Sequence, residues 1–153
     1  GHVAAAGMTV QLDQVEAFAE RFEQVVRDRI DPELLVPTVS YDLELNLKDI
    51  DWKWYRSLQR FAPFGPGNLE PVFMTAEVYL HALPRVVGNN HLKLQLKEEE
   101  AGEVFDAIAF SQGDQAEKLS MDQPFAICYQ IEANTFNGRT TLQLNIKDLK
   151  PAT

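Results

Sequence analysis

Two apolar periods run through the chain, and the change from one to the other falls near its middle. From Asp13, apolar residues recur at three- and four-residue intervals: Val15, Phe18, Ala19, Phe22, Val25, Val26 and Ile30. Glu16, Glu20, Arg21, Glu23, Arg27 and Asp28 lie opposite them. This period predicts an amphipathic helix packing on a sheet, ending near Asp31 because the residue before Pro32 disfavours α geometry. Asp13 and Glu16 have capping-box spacing. Ahead of them, Gly7 and Met8-Thr9-Val10 predict a turn into a short strand. A connector, Pro32 to Pro37, leads to Val39, Tyr41, Leu43, Leu45 and Leu47 alternating with Ser40, Asp42, Glu44 and Asn46, the period of a half-buried strand. Asp49 or Asp51 can then cap a second helix with Trp52, Tyr55, Leu58 and Phe61 as its apolar stripe. An aromatic stripe at helical spacing is more often core than ligand surface, so Trp52 and Trp54 are both assigned to the core.

Residues Arg60 to Phe73, RFAPFGPGNLEPVF, break every period. Pro63, Pro66 and Pro71 fix φ and remove donors, and Gly65 and Gly67 permit positive φ, so neither a helix nor a central strand can run through. Beyond this stiff junction the pattern is β throughout. Strands are predicted at Val72–His81, His91–Lys97, Val104–Phe110 (apolar enough to be buried on both sides), Pro124–Ala133 and Thr140–Lys147. A loop spans Leu83–Asn90, an acidic turn Glu98–Glu103, and a polar stretch with room for a short helix Ser111–Asp122. Asn137-Gly138 marks a hairpin turn. Five strands with an extra element between the third and fourth match the count of an OB-fold, although a small sandwich gives much the same pattern. The expected organisation is α+β: an α/β piece over 1–35, a connector strand, helix and junction over 36–71, and a five-stranded OB barrel over 72–153.

Composition adds mainly exclusions. With 45% hydrophobic and 24% charged residues the chain is ordinary globular protein. No apolar run reaches the roughly 18–20 residues that cross a bilayer, and no leader pattern opens the chain. The single cysteine, Cys128, excludes an internal disulfide and suits a reducing cytoplasm. Its strand setting makes it a packing residue. A natural start carries an initiator methionine, so a chain opening GHVAAAG is expected to be an excised piece. Net charge is −9, and acids outnumber bases in each of 1–35, 36–71 and 72–153. Any polyanion site must therefore be a local patch. His2, His81 and His91 have no ligand-spaced partners, no nucleophile has a recognisable base, and no phosphate loop occurs. A complete active site is absent from the pattern.

A local patch can be built. Lys93 and Lys97 project from one face of the second β-half strand with His91 and Gln95. Arg85, Asn89 and Asn90 lie in the loop before it. Asn134, Phe136, Asn137 and Arg139 belong to the last hairpin. In an OB-fold the second and third strands and the loops joining strands one–two and four–five form the binding face, so these residues would converge. Single-strand binding there would pair backbone neutralisation with base stacking.

PFGPGNLEPVF at Pro63–Phe73 resembles the PFGxGNPEPxF signature of the RecJ family of single-stranded-DNA-specific exonucleases, with Leu69 in place of its second proline. GHVAAAG at Gly1–Gly7 resembles that family's GGHxxAAG, lacking the first glycine. Val87-Gly88, His91–Leu94, Asp106–Phe110, Glu132–Asn134 with Asn137-Gly138, and Leu142–Lys150 follow in family order, so the resemblance covers nearly the whole chain. It implies the end of a DHH-associated subdomain plus an OB domain. The DHH motif and the aspartates and histidines that hold Mn²⁺ or Mg²⁺ in the parent enzyme would lie in an upstream catalytic domain. The family's phosphate-holding GGH role would fall on Gly1 and His2. The piece itself is expected to be inactive, binding single-stranded DNA and guiding it to the cleft. The alternative is an OB-type protein-interaction module docking on its own catalytic domain or a repair partner.

Overall fold

The computed structural model describes residues 5–151. The chain divides into two compact units, Gly1–Thr38 and Val39–Thr153.

In the first unit a 3₁₀ turn, Leu12–Gln14, leads into helix α1, Val15–Arg29, and a second 3₁₀ turn follows at Pro32–Leu35. The expected capping role of Asp13 is not observed. Asp13 is spent inside the first turn, and Gln14, which precedes α1, makes no side-chain cap. Asp31 caps the later turn instead, accepting from the Glu33 amide at 3.0 Å. Met8-Thr9-Val10 forms no strand. The apolar period matches α1 in place and length, yet none of its residues is buried. Phe18 and Phe22 stack on each other at 5.7 Å along its apolar face.

The second unit is a barrel with a collar. Strands β2 (Phe73–Leu80), β4 (His91–Lys97), β5 (Phe105–Ala109), β6 (Phe125–Phe136) and β7 (Arg139–Pro151) run β2-β6-β7-β5-β4, and β4 returns to β2 through Tyr79↔Lys97 and Leu80↔Leu96. The ring is therefore closed. All its pairings are antiparallel except β5 with β7, which is parallel. Closure by a five-strand Greek-key path is the OB topology, and it distinguishes this fold from a sandwich. A 3₁₀ segment, Gly113–Lys118, fills the connection between β5 and β6. Inward positions alternate through Leu92, Leu94, Leu96, Phe105, Ala107, Ala109, Phe125, Ile127, Tyr129, Ile131, Leu144 and Ile146, all buried. A buried hydroxyl pair satisfies itself: Thr75 Oγ1 lies 3.0 Å from the Tyr129 hydroxyl and 2.6 Å from the Leu45 carbonyl.

Several strand expectations shift. Strand β5 is buried on one face only, because Asp106 and Ile108 turn outward and are half-covered. The loop over 83–90 contains a short strand, β3 (Arg85–Val87), paired with β4. The last hairpin extends to Phe136 and resumes at Arg139, leaving only Asn137 (φ 49°) and Gly138 (φ 78°) as the turn. Positive φ at both central positions matches the right-handed strand twist, which carries the ladder to the tip. The alternating stretch at 39–47 shrinks most. Only Leu43–Glu44 (β1) pairs, in parallel with Phe73 and Met74, before a 3₁₀ turn at Leu47–Asp49. Leu45, Leu47 and Ile50 are buried, whereas Val39, Tyr41 and Leu43 are exposed. Alternation in this stretch marks an edge segment whose second half drops into the core.

Helix α2, Trp52–Leu58, is capped by Asp51, whose Oδ1 accepts from the Trp54 amide at 2.6 Å. Of the two expected caps, Asp51 is the one used. The Pro/Gly junction then folds on itself. Gly65 and Asn68 exchange backbone hydrogen bonds at 2.8 and 2.9 Å around Gly67, whose φ of 81° favours a residue without Cβ. Asn68 Nδ2 donates to the carbonyls of Phe61 and Pro63, both at 2.9 Å. One connector residue and one barrel residue then grip the junction's end. The Val72 amide donates to Asp42 Oδ2, and Gln130 Nε2 donates to the Glu70 carbonyl at 3.0 Å.

Candidate nucleic-acid interface

The register of the β4 ladders sorts the outward side chains. Lys93 stands opposite Arg85 of β3 on one side and Ile108 of β5 on the other, and Gln95 stands opposite Asp106. Directly paired residues share a face, so Arg85, Lys93, Gln95 and Lys97 form one polar outer surface. At one end of it the tip of the β6–β7 hairpin, the residues ahead of β5 and the start of α2 enclose a groove of about 660 Å³. Its lining includes Lys93, Asn134, Phe136 and Arg139, together with Asp51, Trp52, Glu103, Asp106, Thr140 and Thr141.

Of the residues expected to bind, Lys93, Asn134, Phe136 and Arg139 are thus brought together, whereas Arg85, Asn89, His91 and Lys97 are not. Arg85 and Lys97 lie on the same outer surface but beyond the groove. Asn89 is exposed at the turn Gly88–Asn90. His91 is held by its neighbours: its Nδ1 accepts from the Ser111 amide at 3.0 Å, and its ring meets Phe110 edge-on at 5.2 Å. Gly1 and His2 lie outside the described residues.

Each groove residue has a local reason for its position. Phe136 is the last residue of β6 and is 73% exposed, since the hairpin outruns the barrel that would cover it. Arg139 opens β7 directly opposite. The Thr135 and Thr140 hydroxyls, 2.8 Å apart, lock the tip. Neither Lys93 nor Arg139 forms an ion pair among the described residues, where only Arg27 and Glu23 do so. Two of the three carboxylates already have partners: Asp51 caps α2, and Asp106 accepts from Gln95 Nε2 at 3.1 Å. Glu103 is exposed without one.

The two tryptophans, both expected in the core, separate here. Trp54 packs edge-on against Phe73 at 5.1 Å and is half-buried. Trp52, 39% exposed, lines the groove. Their spacing of two along a helix places them on different faces, a signal available in the sequence. Thr140, Thr141 and Glu103 carried no such signal. Among the described residues no group of three or more His, Cys, Asp or Glu side chains could hold a metal ion, and no helix is long and apolar enough to cross a membrane.

Residues 41–148 match the family model described as the RecJ OB domain. The chain belongs to the RecJ OB-domain family. It is 29% identical over 151 residues to the single-stranded-DNA-specific exonuclease RecJ of Salmonella typhimurium and 30% identical over 152 residues to that of Haemophilus influenzae. Each match covers 99% of this chain and 26% of the relative, so the chain spans about a quarter of the length of the curated relatives it matches. Among solved structures, RecJ of Thermus thermophilus in complex with Mn²⁺ superposes with a TM-score of 0.68 at 24% identity, over 96% of this chain and 20% of that one. The RecJ OB fold expected from the Pro/Gly junction and the strand count is the fold observed.

Proposed function

We propose that this chain is the C-terminal nucleic-acid-binding part of a RecJ-like exonuclease that degrades single-stranded DNA from the 5′ end in cytoplasmic repair and recombination. In this reading the barrel guides the strand toward an upstream DHH catalytic domain. The observation that carries it is the groove at the hairpin tip, which Lys93 and Arg139, free of ion pairs among the described residues, line together with an exposed Phe136 on a closed OB barrel. Cations that meet phosphates beside an aromatic face that takes a base are the parts of a single-strand site. In this reading the Mn²⁺ or Mg²⁺ of the parent enzyme is held by that upstream domain, and this chain's part is to bind the strand.

Titrating the chain into a fluorescein-labelled single-stranded oligonucleotide at low salt tests the reading. Binding is expected, with Phe136→Ala and Arg139→Ala each weakening it several-fold and a duplex of the same sequence competing poorly. No binding at low salt, or binding indifferent to both variants, rejects it.

One observation favours a second role alongside the first. An apolar groove of about 340 Å³ lies between α2 and β1, lined by Leu43, Trp54, Leu58, Phe61, Pro71 and Phe73, and Phe61 is 70% exposed. A groove of this character suits docking on the enzyme's own catalytic domain. Pull-down with that domain, lost on Phe61→Ser, tests it.

A further inference from the structure

We infer that Trp52 is a stacking platform for an unpaired base, so that the collar helix α2 forms one wall of the single-strand site. The inference rests on the nucleic-acid reading above and assigns part of that site to a residue outside the barrel.

Trp52 has the mount such a platform needs. The residue two before it, Ile50, is buried at 1% exposure, and the Leu47 amide is tied to Glu98 Oε2 at 2.7 Å. Asp51 caps the helix that Trp52 opens, and Leu58 buries the helix's other end. Tyr55 braces the indole edge-on at 5.8 Å. The ring is therefore held without being covered. A ligand stacking on it immobilises little that was free, which favours affinity. The open volume beside it, about 660 Å³, lies inside the range of roughly 300–1,000 Å³ found for sites that bury small organic ligands.

The charges set the strand's orientation. Lys93 and Arg139 are the groove's cations; Asp51, Glu103 and Asp106 are its carboxylates, of which Asp106 is already bonded to Gln95. Phosphates settle by the cations. The carboxylates repel phosphate but accept from exocyclic amino groups, so bases, not backbone, face the Trp52 wall. Duplex DNA has no free base face to offer an aromatic ring, so this wall discriminates for unpaired strands.

Intrinsic fluorescence reads the site directly. Trp52 and Trp54 are the chain's two tryptophans, so Trp54→Phe leaves Trp52 as the sole indole reporter. Titration of that variant with unlabelled oligodeoxycytidylate, whose bases carry an exocyclic amino group, is expected to quench its emission in step with the binding isotherm measured by anisotropy of a labelled strand. Trp52→Ala is expected to weaken binding by about 5- to 150-fold, the equivalent of about 1–3 kcal/mol for one base–aromatic stack, and Trp52→Phe to restore most of it. Normal binding by anisotropy with unchanged Trp52 emission overturns the inference and leaves the nucleic-acid reading standing. Absence of any binding by the unmodified chain overturns both. If Trp52→Ala lowers the melting temperature, the quenching result decides alone.

Discussion

Salt dependence of single-strand binding follows most directly from the groove. An acidic chain that binds a polyanion must do so through few cations, and the structure says which. Lys93 and Arg139 line the groove, free of ion pairs among the described residues, and Arg85 and Lys97 share the outer surface beyond it. Each phosphate neutralised on a single strand contributes about −0.7 to the slope of log K against log salt, so the two groove cations give a slope of about −1.4. Raising salt from about 50 to 200 mM should then weaken binding by about 7-fold. If the strand also runs across Arg85 and Lys97, the slope becomes about −2.8 and the loss about 50-fold. The assay is anisotropy of a labelled oligonucleotide at four or five salt concentrations, repeated for single variants. Lys93→Ala should reduce the slope by about 0.7 and weaken binding alike for every sequence. Phe136→Ala should weaken binding at every salt concentration without changing the slope, because stacking releases no counterions. A wild-type slope steeper than about −4, beyond what these four cations supply, refutes the assignment. A Lys93→Ala slope equal to wild type does so too.

Three further outcomes test the fold and its electrostatics. Thr75→Val leaves the Leu45 carbonyl and the Tyr129 hydroxyl without their buried partner and should cost about 1–3 kcal/mol in a denaturant melt; Tyr129→Phe leaves Thr75 bonded to Leu45 and should cost less, about 0.5–1.5 kcal/mol. Asn68→Ala removes donors from two junction carbonyls and should lower stability by about 1 kcal/mol in the same melt, with circular dichroism of the barrel unchanged. Desolvation raises the Glu70 carboxyl above its ordinary value; Lys147 opposes the shift and Glu132 adds to it. A carboxylate raised in the folded state favours folding when protonated, and that contribution disappears as pH climbs through the folded-state value. Glu70→Gln should therefore melt increasingly above wild type as pH rises from the carboxylate range to neutrality, and parallel melting curves across that range would contradict the shift.

The physics of a single strand or helix accounts for what could be read before folding. Period two located β4, β6 and β7, each of which buries one face, whereas β2 and β5 were legible as apolar β-rich runs, and period 3.6 located α1 and α2. Asn137-Gly138 fixed the hairpin because few other pairs reach positive φ at both positions. The Pro/Gly junction was visible because its backbone conformations are costly for other residues. Misreadings arose where a neighbour decides. Val39 to Leu47 has impeccable alternation, yet β2 pairs with only two of its residues, since the rest of that edge faces other company. The Asp13 cap fits its spacing, but a 3₁₀ turn delays the helix past it. His91 sits among candidate ligands by number, and Ser111, twenty residues away, takes its nitrogen.

By itself, then, the sequence determined the element types, the stiff junction and the family, because these depend on local backbone energetics and on residues a few positions apart. Tertiary structure alone decided that β2 and β4 close the ring through two residue pairs, and that Trp52 and Trp54 have opposite fates. It also decided that Lys93, Phe136 and Arg139, separated by up to 46 positions, line one groove. Closure and convergence come from strand pairing at long range, and nothing in a residue's near neighbours encodes which distant strand will lie beside it.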